Sequence, residues 1–283
     1  MRFPFYVFFI ISLLLTACSQ DERADNEHES AEQQPATTEN NATNEETKQN
    51  DNVRNNPNEL FSKMVLAMQK QNSYITESSL SIEVSGNEDG TMEMESTSEI
   101  VLDPFQSHVS TTLTTTGDGE NVSVHMETYN TPDGSYSFNS MFGSWIFSES
   151  DQHHIFDKLS PGDFYESLVT LEEEIDIEEQ DEQMIVLAGG NIQDIHRFFH
   201  SMPIDGSENL PESNVDIVTA SMKGVIHKDS LLLESLSWQL ELVGEDENLS
   251  ANYTFTLNVK DYNTINEIKV PDDIIEEAME ESN

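Results

Sequence analysis

The chain has 283 residues, with 12 Lys plus Arg against 55 Asp plus Glu and a formal charge of −43 at pH 7. That balance excludes a nucleic-acid partner, because phosphate binding needs a basic surface, and it disfavours adhesion of the body to anionic headgroups. A single cysteine, Cys18, excludes disulfides within the chain and leaves no catalytic thiol in the body of the protein. The excess acid fits a protein facing high salt, where screening shortens self-repulsion, and equally an ordinary acidic secreted protein.

Arg2 opens the chain, followed by an apolar stretch from Phe3 to Leu15 that is broken only by Pro4 and Ser12. This is short of the roughly 20 apolar residues a membrane span needs, and it has the order of a secretory signal. Leu15-Thr16-Ala17-Cys18 ends it. This tetrapeptide resembles the lipobox of bacterial lipoproteins. The resemblance implies a diacylglycerol on the Cys18 thiol, cleavage between Ala17 and Cys18, and an acylated (palmitate-type) new amino terminus. It also implies attachment to the extracytoplasmic face of the cell membrane. The alternative is a plain signal peptide with a chance cysteine.

Residues 1–17 are therefore read as a signal peptide and residues 18–56 as the lipidated cysteine with a disordered acidic tether. From Ser19 to Asn56 the only large apolar residue is Val53, too little to offset chain entropy. A coil of this length spans roughly 30–35 Å on average. His28, between Glu27 and Glu29, belongs to this solvated stretch.

Residues 57–283 are read as one folded domain. Asn56-Pro57-Asn58-Glu59 is a helix start with a cap, a first-turn proline and a capping-box acid. Leu60, Met64, Ala67 and Met68 then recur at helical spacing. After Ser73 the period becomes two. Leu80, Ile82 and Val84 alternate with polar residues, Met92, Met94, Ile100 and Leu102 share a parity, and Val109, Thr111 and Leu113, then Val122, Val124 and Met126 follow as further strands. Thr131-Pro132-Asp133-Gly134-Ser135 is a turn, Gly117–Asn121 a hairpin turn, and Gly143–Phe147 a further short strand.

Ser160–Ile175 predicts a helix, with Phe164, Leu168, Leu171 and Ile175 as its stripe. Met184–Ala188 predicts a strand, Ile192–Met202 a short helix and Pro203–Asn214 a loop. Val215–His227, Leu232–Leu242 and Leu249–Val259 alternate clearly and predict an antiparallel meander. Pro271 opens a short acidic helix anchored by Ile274, Ile275 and Ala278. The expected class is α+β: a curved, mostly antiparallel sheet with helices packed across one face.

Several segments carry a resemblance. They are the lipobox and tether, a leading helix ending at Asn72-Ser73-Tyr74, the run from Tyr129 to Trp145, and Tyr253–Ile274 with its Tyr262-Asn263 turn and Val270-Pro271. Together they resemble uncharacterised Gram-positive, Bacillus-type lipoproteins. More distantly they are similar to the lipoprotein-carrier and mycobacterial lipid-transport half-barrel. The resemblance implies an apolar groove between sheet and helices, with Trp145, Phe147, Trp238, Tyr253 and Phe255 as candidate walls and a lipid or other apolar ligand as occupant. The competing reading is that these rings fill a core, which large aromatics do equally well. A related half-barrel serves a regulator of envelope stress, so an envelope protein acting through protein partners stays open.

Enzyme signatures are absent. His196 and His200 stand four apart, yet Arg197 occupies the position where a zinc protease carries glutamate. His153-His154 would face opposite ways in a strand. Leu171–Gln183 holds eight carboxylates but lacks the spacing of a calcium loop. There is no G-x-S-x-G elbow, S-x-x-K or phosphate-cradling loop. Carboxylates are too many for one pair to identify a wall hydrolase. The chain is read as a non-enzyme without cofactor or metal.

Overall fold

The computed structural model describes residues 57–86, 89–117, 119–149, 175–189, 215–244 and 250–280. The chain divides into two units, Met1–Asn55 and Asn56–Asn283. The described residues all belong to the second. The anticipated signal, Cys18, the tether, the helices over 160–174 and 192–202, and His153, His154, His196 and His200 lie outside them.

Helix α1 runs Pro57–Met68. Six strands follow: β1 (Ser73–Ser85), β2 (Gly90–Leu102), β3 (Phe105–Gly117), β4 (Glu120–Thr131), β5 (Gly134–Asn139) and β6 (Ser144–Ser148). Then come β7 (Ile175–Gln180), β8 (Gln183–Gly189), β9 (Val215–His227), β10 (Leu233–Gly244) and β11 (Ser250–Lys260). Helix α2 (Asp272–Glu277) and the two-residue β12 (Met279–Glu280) close the chain.

All the strands form one open sheet in the order β12-β6-β5-β4-β3-β2-β1-β11-β10-β9-β8-β7. Two runs of antiparallel neighbours in chain order, β1–β6 and β7–β11, are joined where β1 pairs antiparallel with β11 from Ile75↔Lys260 to Ser85↔Ser250. Only the β12–β6 pair is parallel among these. The turn before β5 depends on Gly134, at φ 144°: a Cβ there would lie 2.6 Å from the Phe147 ring and from the Ser148 carbonyl.

The expected elements on the described residues are present, with two corrections. Ile175 is the first residue of β7 and not the end of a helical stripe. Ile175 and Ile177 alternate with Asp176 and Glu178, a period of two hidden inside the acidic run. In α2, Ile274 is buried but Ile275 is 48% exposed and anchors nothing.

Asn72-Ser73-Tyr74 and the Tyr262-Asn263 turn are partners across the fold. The Asn72 N–H donates to Asn263 Oδ1 at 2.7 Å, and the Ile265 N–H donates to Ser73 Oγ at 3.1 Å. The Tyr74 and Tyr262 rings sit 6.2 Å apart. Asn263, at φ 61°, takes a left-handed conformation that asparagine tolerates better than most residues. There the chain passes from one side of the sheet to the other. Tyr262 packs in the α1-side core, while Ile265 packs in the core of the opposite side.

Candidate functional site: two faces of one sheet

Residues directly opposite in an antiparallel pair share a face, so the register sorts every side chain. On the α1 side, Val124, Leu113, Met94, Leu80, Phe255, Trp238 and Met222 line up as one row across seven strands, from β4 to β9. At about 4.8 Å per strand the row is roughly 29 Å long. Tyr253 stands in the next row, opposite Ile82 and Leu240.

Helix α1 lays Leu60, Phe61, Met64 and Met68 onto this side, all at most 5% exposed. Its outer face carries the Glu59–Lys63 pair, 2.9 Å apart. The Trp238 and Phe255 rings stack in the same core with centroids 5.3 Å apart. Burial pushes the Tyr253 phenol above its ordinary range. Toward β2–β4 the same side carries buried hydroxyls: Ser96 and Thr111 bond at 2.9 Å, and Asn130 Nδ2 donates to Ser107 Oγ at 2.8 Å.

The opposite side is organised differently. Phe147 pairs with Tyr136, which pairs with Tyr129; Trp145 pairs with Phe138. Trp145, Tyr129 and Val101 form a second core with Ile268 and Ile274 of the C-terminal segment, and Tyr136 and Phe138 pack against it. The Ile268 N–H donates to Gln106 Oε1 at 2.8 Å, which fastens that segment to β3.

Glu127 is the polar hub beside this core. It accepts from the Tyr129 hydroxyl at 3.2 Å, lies 2.9 Å from His108 Nε2, and is 3.8 Å from His125 Nε2. His108 stacks on Tyr129 at 4.2 Å and lies 3.6 Å from Glu99. Burial, then the Glu127 carboxylate, pushes the Tyr129 phenol up to about 12. The rest of this side is hydrophilic. A shallow depression of about 350 Å³ is bordered by Glu77, Glu95, Thr97, Ser110, Thr112 and Thr256.

The five anticipated groove residues therefore do not meet. Trp238, Tyr253 and Phe255 share the α1 side, whereas Trp145 and Phe147 point to the other side. The physical reason is parity, since a strand sends alternate residues to opposite faces. The polar hub was missed although β4 spells it out: His125, Glu127 and Tyr129 are two apart and therefore neighbours. Among the described residues no three His, Cys, Asp or Glu side chains are grouped to hold a metal ion. Among them no helix is long and apolar enough to cross a membrane.

The fold is thus an α+β protein dominated by one wide, open antiparallel sheet. The chain belongs to a family of unknown function, DUF6612, whose model matches residues 30–279. A comparison with curated proteins finds no match. Among solved structures, the chain is similar to LprF from Mycobacterium bovis, at 8% identity and a TM-score of 0.38, covering 76% of this chain and 96% of that one. It is also similar to a LolA superfamily protein, NE2245 from Nitrosomonas europaea, at 8% identity and a TM-score of 0.21, covering 77% and 96%.

Proposed function

We propose that this chain is a lipid-anchored lipoprotein of the extracytoplasmic face of the cell membrane, and that its domain takes a lipid or other apolar ligand between α1 and the sheet. The observation that carries the ligand reading is the apolar row itself, which runs roughly 29 Å across seven strands on the side where α1 packs.

The wall of the site is Trp238, Tyr253 and Phe255, with Met94, Met222 and the α1 residues Met64 and Met68 opposite or beside them. Thioethers adapt to irregular apolar shapes. Uptake is passive: a ligand displaces α1 side chains from the sheet, and apolar burial at about 25 cal/mol per Å² drives the exchange. No bond is made or broken, and the protein acts as a binding module, not an enzyme. The anchor reading rests on Leu15–Cys18 and the tether on the composition of 19–56.

A second reading has its own observation. Phe61 is 0% and Trp238 3% exposed, so side chains fill the space under α1. On that reading the domain is a solid scaffold acting through protein partners. Native mass spectrometry of the protein isolated from its own membrane separates the two. The proposal expects a thioether-linked diacylglycerol on Cys18 and a second, non-covalent lipid mass that organic extraction removes. An anchored but otherwise clean mass would replace the ligand reading by the filled-core one. An unmodified Cys18 would overturn the anchor.

A further inference from the structure

The two edges of the sheet are built unlike each other. A bare edge strand is a template for another chain, and proteins usually blunt it with charge. Edge strand β7 follows that rule, with Asp176, Glu178 and Glu179 among its six residues. The opposite edge does not. Gly134–Ser148, which holds β5 and β6, contains no charged residue, in a chain where charged residues are 24%.

Among the described residues, strand β12 covers this edge along two residues, pairing Met279 with Ile146 and Glu280 with Phe147. Beside it the turn into β6 holds Met141 and Phe142 in solvent, at 62% and 65% exposure, and Ile146 is 39% exposed. That turn is stiff. Asn139 Oδ1 accepts from the Met141 N–H at 2.9 Å, and the Asn139 carbonyl accepts from the N–H groups of Phe142 and Gly143 at 3.0 and 2.9 Å. Two large apolar side chains are thus displayed on a backbone whose polar groups are satisfied internally.

We propose that the outer edge of β6 is a docking site for an extended segment of a partner protein, which adds as a strand next to β6. Charge sets the partner's chemistry. The uncharged edge is flanked by the exposed acids Glu149, Asp272, Asp273, Glu276 and Glu277, the last four on α2, which lies against β6. The segment that fits has four or five uncharged alternating residues between lysines or arginines. The chain's own β12 already occupies two positions of the edge, and the partner strand displaces it. This inference concerns the edge and does not rest on a ligand under α1.

The test uses the full chain and two synthetic peptides of equal charge. The probe carries five alternating valine and threonine residues between lysine pairs; the control has prolines at the two central alternate positions, which bar strand pairing. The probe is expected to bind about tenfold more tightly than the control, as one or two extra backbone hydrogen bonds and their apolar contacts would give. Removing Met279–Asn283 should raise probe affinity about tenfold although it deletes two glutamates, an effect bulk electrostatics would reverse. Ile146→Glu, at an already exposed position, should abolish the preference for the probe. Equal binding of the two peptides overturns the proposal, and so does binding of neither or an unchanged affinity in the shortened chain.

Discussion

The two sides of the sheet bury aromatic residues by different means. On the α1 side a helix from the start of the domain and a long apolar row of the sheet belong to one continuous core, which holds Phe61, Met64 and Trp238. On the other side Trp145 packs with the C-terminal segment from Ile265 to Ala278, which includes the short α2, is pinned by single hydrogen bonds and is bordered by the Glu127 hub. The first arrangement is held mainly by apolar contacts, so it can replace one apolar cover by another. The second cannot, because lifting the C-terminal segment breaks its bonds to Ser73 and Gln106. This difference is why the proposed ligand exchange is assigned to the α1 side.

Four measurements can break or sharpen that contrast. The largest effect is expected for Phe61→Ala, which empties a fully buried position and should cost about 3–5 kcal/mol in urea unfolding. It should shift Trp238 emission and leave Trp145 emission unchanged; the converse would mean that the two cores are coupled.

Next comes alkaline pH. Tyr129 has a phenol pushed up to about 12, above its ordinary 10.0. Its contribution is complete below pH 10 and is lost as pH rises toward 12, because the unfolded chain gives up this proton first. The loss should be roughly 2 kcal/mol. Tyr129→Phe should flatten that part of the stability profile; an unchanged slope would remove Tyr129 from the account.

Ile274→Ala follows, at about 2 kcal/mol, the low end for a truncated core residue, because α2 is short and half solvated. Its signature is local: protease cutting within residues 265–280 should speed up with little change in Trp238 emission. The smallest effect is salt. Screening of a −43 chain should raise the melting temperature by a few degrees at molar salt. A flat response would show that the charges are already spaced to tolerate one another.

Much of the fold was legible in the sequence. The Asn56-Pro57 start and the stripe ending at Met68 fixed α1, and strict alternation fixed β1–β4 and β9–β11. The site was less legible, for a physical reason. Alternation tells which residues of one strand share a face, but only turn length and register connect that face to the next strand's. Trp145 and Trp238 look alike in sequence and end on opposite sides. Strand β7 was hidden because Ile175 and Ile177 are too few to outweigh eight surrounding acids. The meeting of Asn72–Tyr74 with Tyr262–Asn263 needed the fold, since 191 residues separate Asn72 from Asn263.

The chain has only two tryptophans, one on each side of the sheet, and this permits the most direct test. The full chain would be prepared as Trp145→Phe, leaving Trp238, and as Trp238→Phe, leaving Trp145, and each titrated with a fatty acid brominated along its chain. The account predicts saturable quenching of Trp238 and none of Trp145. Quenching of Trp145 alone, or of neither, would contradict an apolar site between α1 and the sheet.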